Sequence, residues 1–214
     1  MTLIKSREYA RGRPILHLID DHLIDGHFPE QGRWSETDYL NLHTSQLIEF
    51  DDGLLEFPPM PTMSHQDIVL FLYSLLKNFV ATNGLGKVYV APLRIKLWSH
   101  KYREPDVIFL AQARLAQTEG NYPTGADLVM EVVSGSGIDR QRDLVVKRQE
   151  YAEAGIPEYW IVDPQEAQIT VCSLADGHDE YEEAGVYGPG ERAESVLLVG
   201  FGAEVTAVFE AAGA

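Results

Sequence analysis

The stretch DLVMEVVSGSG, residues 127–137, constrains the fold more than any other. Leu128, Val129, Met130, Val132 and Val133 form a short apolar run bounded by Ser and Gly. That pattern reads as a strand buried on both faces. Glu131 sits in the middle of it. A lone carboxylate in such a strand costs several kcal/mol to desolvate unless something pairs with it. The fold must therefore bring a partner to Glu131.

The flanking sequence supplies layers for such a strand. Ser35 to Asp38 (SETD) is a capping-box pattern that opens a short helix. QLIEF, DDG and LLEF, over 46–57, predict a hairpin turning at Asp52-Gly53. In that register Glu49 faces Glu56, and opposed like charges require an outside partner. PPMPTM is a stiff connector. SHQD at 64–67 opens a helix over 65–82, which ends at Asn83-Gly84. KVYVAPLRIKLW (87–98) alternates as a strand, and DVIFLA (106–111) is another. A helix near 139–154 and the strands EYWIVD (158–163) and ITVCSL follow. This order predicts an α/β (α+β) fold, a mixed sheet flanked by helices. Residues 1–33 read as an N-terminal arm.

At 214 residues the chain suits one domain with decorations and can bury a sizeable core. Cys172 is the single cysteine, which excludes an intrachain disulfide and a thiolate metal cluster. A reducing cytoplasm fits that usage. Residues 1–14 are polar, with no long apolar core behind Lys5, Arg7, Arg11 and Arg13, so no signal peptide is expected. The apolar run IVLFLYSLL at 68–76 is too short to span a bilayer, and no membrane partner is expected. His17, His22 and His27 recur at five-residue steps, which does not stack them on one helix face, so a zinc site is discounted.

The net charge of -16 argues against general nucleic-acid binding. Its distribution softens that. Residues 87–148 carry ten Lys+Arg against seven Asp+Glu, and the remainder seven against 26. Arg94, Lys96, Lys101, Arg103, Arg140 and Arg142 are therefore expected to form a positive rim that contacts nucleic acid.

Side chains alternate along a strand, so Val129, Glu131 and Val133 share one face. Asp106 begins the neighbouring DVIFL strand, after Pro105. Two acids at adjacent strand ends can hold a divalent cation such as Mg²⁺ or Mn²⁺ through oxygen. Such an ion lowers the pKa of a bound water and clamps phosphate oxygens.

The spacing of Pro105-Asp106 and Glu131-Val-Val resembles the PD-(D/E)xK nuclease signature, with Val133 where that pattern has lysine. A larger resemblance accounts for the difference. DLVVKRQEYAEAGIPEYWIVDP (143–164) is similar to the conserved block of the Uma-two family, a bacterial group of restriction-endonuclease-like proteins. LIEFDDGLLEFPPMPTMSHQDI, GLGKVYVAPLRIKL, YREPDVIFL and DLVMEVVSGSG match in order, covering roughly residues 34 to 165. The resemblance implies a restriction-endonuclease-like catalytic core over 34–165, with 166–214 a β-rich extension packed on the same domain. It implies Asp106 and Glu131 as metal ligands, Glu49 as a third, and Lys147 as base or transition-state stabiliser. His65 and Tyr151 are implied as accessory residues, Tyr151 one turn after Lys147. The function so implied is metal-dependent phosphodiester hydrolysis of nucleic acid, most readily DNA, with a homodimer suited to a two-stranded substrate. Two other readings stay open: a nuclease-derived binding or assembly module without turnover, and a carboxylate hydrolase acting on a glycosidic bond.

Overall fold

The computed structural model describes residues 29–213 apart from 43, 45 and 136. Most of the expected arm, with its three histidines, lies outside the described residues. The elements run α1 (Glu36–Leu40), β1 (Glu49–Asp51), β2 (Leu54–Glu56), α2 (Met63–Asn83), β3 (Gly86–Val90), β4 (Ile95–Trp98), β5 (Lys101–Arg103), β6 (Val107–Ala111) and α3 (Gln112–Gln117). Then come β7 (Leu128–Val132), α4 (Ile138–Gln141), a π-helical turn (Arg142–Val146), α5 (Lys147–Glu153), β8 (Glu158–Asp163), β9 (Gln168–Ser173), β10 (Glu182–Tyr187), β11 (Arg192–Glu194), β12 (Gly202–Glu204) and α6 (Val205–Glu210).

Among the described residues the central sheet has six strands in the order β10-β9-β8-β7-β6-β3. Only β7 and β8 run parallel within it. β7 is interior to this sheet and buried along its whole length, as its apolar run requires. Its even residues Leu128, Met130 and Val132 join a core with Ile68, Leu72 and Leu76 of α2 and Val205 and Val208 of α6. Val129 and Val133 join a second core with Tyr151 and Ala152 of α5, Ile95 and Leu97 of β4, and Tyr159. Glu131 shares the odd face, so its partner has to come from the α5 side.

Local signals hold in detail. Ser35 Oγ accepts from Asp38 N at 3.1 Å, and Asp38 Oδ2 accepts from Ser35 N at 3.0 Å, closing the capping box. α2 starts two residues earlier than SHQD predicts, because Thr62 is its cap: Thr62 Oγ1 accepts from His65 N at 3.2 Å. Gly84 ends it in the left-handed region, φ 64°. In the hairpin Asp52 and Gly53 both have positive φ, the demand of a two-residue turn. A Cβ on Gly53 would also meet Gly32 O at 2.9 Å.

One expectation is corrected. KVYVAPLRIKLW is not one strand. β3 lies in the central sheet, whereas β4 belongs to a four-stranded sheet ordered β2-β1-β5-β4. Pro92 lacks the N–H a continuing ladder needs. Beyond it the Arg94 side chain turns inward, its guanidinium 4.4 Å from the Tyr39 ring centre.

The C-terminal region is built into this architecture. β9 and β10 extend the central sheet. Glu158 of β8 fastens the segment after β11: Ser195 Oγ, Val196 N and Leu197 N each donate to its carboxylate at 2.7 Å. Among the described residues no helix is long and apolar enough to cross a membrane.

Candidate active site

Extending the β6–β7 register by one residue puts Asp106 opposite Glu131. Asp106 Oδ2 accepts from Val132 N at 2.8 Å and lies 3.3 Å from His65 Nε2. His65 Nε2 also lies 3.1 Å from Val132 O, so this nitrogen carries a proton between two acceptors. Burial disfavours the imidazolium, but Asp106, Glu131 and the Val132 carbonyl outweigh it and raise the His65 pKa.

Glu131 has its partner. Lys147 Nζ donates to Glu131 Oε1 at 2.8 Å, and Tyr151 Oη donates to the same oxygen at 2.5 Å. The ammonium is also 3.6 Å from Glu49 Oε1 and 3.7 Å from Asp143 Oδ1. The π-helical turn sets this up. Lys147 N donates to Arg142 O, five residues back, and the widened turn presents Asp143, Lys147 and Tyr151 toward β7. Burial alone would lower the Lys147 pKa, but Glu131, Glu49 and Asp143 outweigh it and hold it above the ordinary lysine value. In this arrangement Lys147 is held as a cation among three carboxylates. Glu131 shifts upward as well: burial raises it, and Asp106, Asp143 and Glu49 add to that effect against Lys147 alone.

Glu49, Glu104, His65, Asp106, Glu131, Asp143, Arg142 and Lys147 line one cavity of about 70 Å³. Negative charge exceeds positive there, and the donors are hard oxygens, which suits a small divalent cation. Among the described residues no three His, Cys, Asp or Glu side chains are grouped to hold a metal unaided. Mg²⁺ does not need them, since it commonly binds through one or two carboxylates, waters and substrate phosphate. Asp106 and Glu131 fit that demand.

Glu49, expected as a third ligand directly or through water, lines the same cavity and is already engaged by neighbouring donors. Its Oε2 accepts from Arg103 Nη1 at 2.6 Å, and its Oε1 accepts from Glu104 N at 3.3 Å. Sequence reasoning missed two acids of the cavity. Asp143, four residues before Lys147, was legible as a helical ion pair. Glu104 had no signal. Among the described residues its Oε2 is buried without a hydrogen-bond partner, as is His65 Nδ1. Burial and the nearby Glu49 push the Glu104 carboxyl up to about 7.

The expected positive rim is not formed. Arg103 is 0% exposed and Lys101 2%. Arg103 bridges Glu49, Glu56 and Glu150, while Lys101 Nζ is 2.7 Å from Glu150 and 3.2 Å from Asp51. Arg94 pairs with Glu104 at 3.2 Å, and Arg142 with Asp143 at 3.3 Å. Arg140 is fastened to Asp163 and Lys96 to Glu36. In so acidic a chain each of these cations finds a carboxylate within the fold.

The Lys96 pair has a measurable consequence. Glu36 accepts from Lys96 Nζ at 2.5 Å, Tyr102 Oη at 2.6 Å and His100 N at 3.1 Å. Burial opposes ionisation, but the Lys96, Tyr102 and His100 hydrogen bonds outweigh it and lower the Glu36 pKa from 4.5 to about 2. A depressed folded-state pKa gives stability that is complete above 4.5 and lost as pH falls toward about 2. Glu36→Gln is expected to cost about 1–2 kcal/mol at neutral pH. Urea melts of both proteins should converge on acidification. A gap that stays constant between neutral pH and pH ~2 would contradict the assignment.

Sheet order, β7 with its paired acid, and a lysine delivered from the next helix define a restriction-endonuclease-like α+β protein. The chain belongs to the Uma2 family, described as "Putative restriction endonuclease", which it matches over residues 34–207. Among solved structures it is similar to a "putative nuclease belonging to DUF820" from Anabaena variabilis ATCC 29413, at 17% identity and a TM-score of 0.67. That likeness covers 84% of this chain and 99% of the other, and it shows a shared fold. Among curated proteins, none matches the chain significantly.

Proposed function

We propose that this protein is a metal-dependent nuclease that hydrolyses phosphodiester bonds in nucleic acid, DNA above all, with Mg²⁺ or Mn²⁺ as cofactor, in the cytoplasm. The observation that carries the reading is the 2.8 Å contact from Lys147 Nζ to Glu131 Oε1, beside Asp106 in one cavity. Asp106 and Glu131 would hold the ion. When bound, it would activate a water and offset charge on the phosphate oxygens. The chain's own groups do the rest. Lys147, held protonated, stabilises negative charge developing on the phosphoryl oxygens. Tyr151 and Lys147 fix the Glu131 carboxylate, and His65 fixes that of Asp106. Two-strand cleavage would call for a homodimer.

Calorimetric titration with Mn²⁺, alongside cleavage assays on DNA and RNA, tests this. Wild type should bind the metal and cleave. Asp106→Asn and Glu131→Gln should each weaken Mn²⁺ binding by at least about tenfold and abolish turnover, as ligand loss does. Undiminished Mn²⁺ affinity in both variants would remove these residues as ligands. A second reading, a binding or assembly module without turnover, draws support from the pairing of all six expected rim cations with carboxylates. Metal binding without cleavage of any substrate would favour it.

A further inference from the structure

A second cavity, of about 450 Å³, adjoins the first, and both are bordered by His65, Val132 and Ser134. The two differ in chemistry. The first is crowded with carboxylates, whereas among the described residues no Asp, Glu, Lys or Arg lines the second. Ile68, Val133 and Phe209 give it apolar walls, and Ser64, Ser134 and Gln165 offer hydrogen-bonding groups at its margin. Met60, 80% exposed, stands at the rim, where a thioether adapts to the shape of a ligand. The volume falls within the range of about 300–1,000 Å³ typical of small-molecule sites.

We propose that this cavity receives one unstacked base of a single-stranded nucleic acid whose adjoining phosphate lies at Asp106 and Glu131, an inference that rests on the nuclease reading above. Continuity is the first argument. A strand with its phosphate in the carboxylate-lined cavity must place the neighbouring nucleoside within one nucleotide's reach, and the second cavity opens there. Charge is the second. A duplex presents about one phosphate charge per 1.7 Å and is gripped mainly through cations. This chain carries a net charge of -16, and the six cations expected to form a rim are engaged with carboxylates. With these cations engaged, the uncharged part of a nucleotide contributes the larger share of the grip at this cavity. Bases stack on aromatic and apolar walls with little regard to sequence, as Phe209 and its neighbours would allow. A paired and stacked base cannot enter such a cavity without leaving the helix. The first turn of α2, at Thr62 to His65, borders the same cavity and adds the weak positive potential of a helix start beside the phosphate.

The test compares a short single-stranded DNA carrying 2-aminopurine with the same strand annealed to its complement, using the full chain with Mn²⁺. The single strand should be cut about tenfold faster or more, and its fluorescence should rise on binding as the base leaves its stack. Ala212→Trp, which fills the cavity away from the carboxylates, should raise KM for the single strand about tenfold and remove the rise in fluorescence. Phe209→Leu makes the same test should the tryptophan variant not fold. A duplex cut as fast as the single strand, with KM unmoved in both variants, overturns the cavity proposal and leaves the nuclease standing. A fluorescence rise that is lost in Ala212→Trp, in a wild type that cleaves nothing, overturns the nuclease and supports the cavity as a base-binding site.

Discussion

Lys147→Ala is expected to lower cleavage by about 10²–10³-fold, the usual effect of removing one preorganised charge or donor from a transition state. Metal affinity should change far less, because an ammonium cannot be a ligand. The geometry separates these effects. Lys147 Nζ and Tyr151 Oη share Glu131 Oε1, so tyrosine still restrains the carboxylate when lysine is gone. The deletion has a structural side as well. Glu131, Glu49 and Asp143 lose a common cation, and breaking a buried pair commonly costs about 3–5 kcal/mol. Thermal melts must therefore show the variant folded at the assay temperature before its rate is interpreted. Adding Val133→Lys to Lys147→Ala puts an ammonium back on the face of β7 that Glu131 occupies, and partial recovery should follow. Val133 is buried, so the recovery will be incomplete. A folded Lys147→Ala that cleaves at the wild-type rate would reduce Lys147 to a structural counter-ion.

Much of this site was legible because its signals are local. An apolar run with one carboxylate requires burial on both faces and a partner, and β7 has both. Asp52-Gly53 fixed the hairpin register, which opposes Glu49 to Glu56. The same register left the common partner of those acids unnamed, because Arg103 reaches them from β5 across the sheet. Long-range pairing also explains the failed rim. Charge counted along the chain ignores which cation meets which acid in space, and Lys101 and Arg103 proved to be interior residues. The π-helical turn had no sequence mark, since Arg142 to Val146 reads as ordinary helix. The Uma-two resemblance supplied Lys147 from outside the nuclease signature, and the turn gives the physical reason that it reaches Glu131.

Arg103→Met is expected to destabilise the fold by about 3–5 kcal/mol. Its guanidinium contacts Glu49 Oε2 at 2.6 Å, holds Glu150 through Nε at 2.7 Å and Nη2 at 2.9 Å, and also bridges to Glu56. All four residues are buried. A methionine fills similar space but leaves three acids with less counter-charge. Against a typical total stability of about 5–15 kcal/mol, that loss brings many domains close to unfolding. Arg103→Lys should recover only part of it, because a point charge cannot serve the Glu150 fork and Glu49 together. The pH dependence fixes the cause. Burial opposes ionisation of Glu49 and Glu150, but Lys147 and Arg103 for the first, and Arg103 and Lys101 for the second, outweigh it and lower both pKa values. Their contribution in the wild type is present above the ordinary carboxylate range and is lost as pH falls below it. In Arg103→Met the same acids are relieved by protonation, so the gap between the proteins should narrow on acidification. Urea melts at pH ~7 and ~4 measure this, with Arg148→Ala as the control. Its partner Glu183 is half exposed, and about 0–1 kcal/mol is expected there. A gap for Arg103→Met that is under about 1 kcal/mol at neutral pH would mean that Lys101 and Lys147 neutralise the cluster without it.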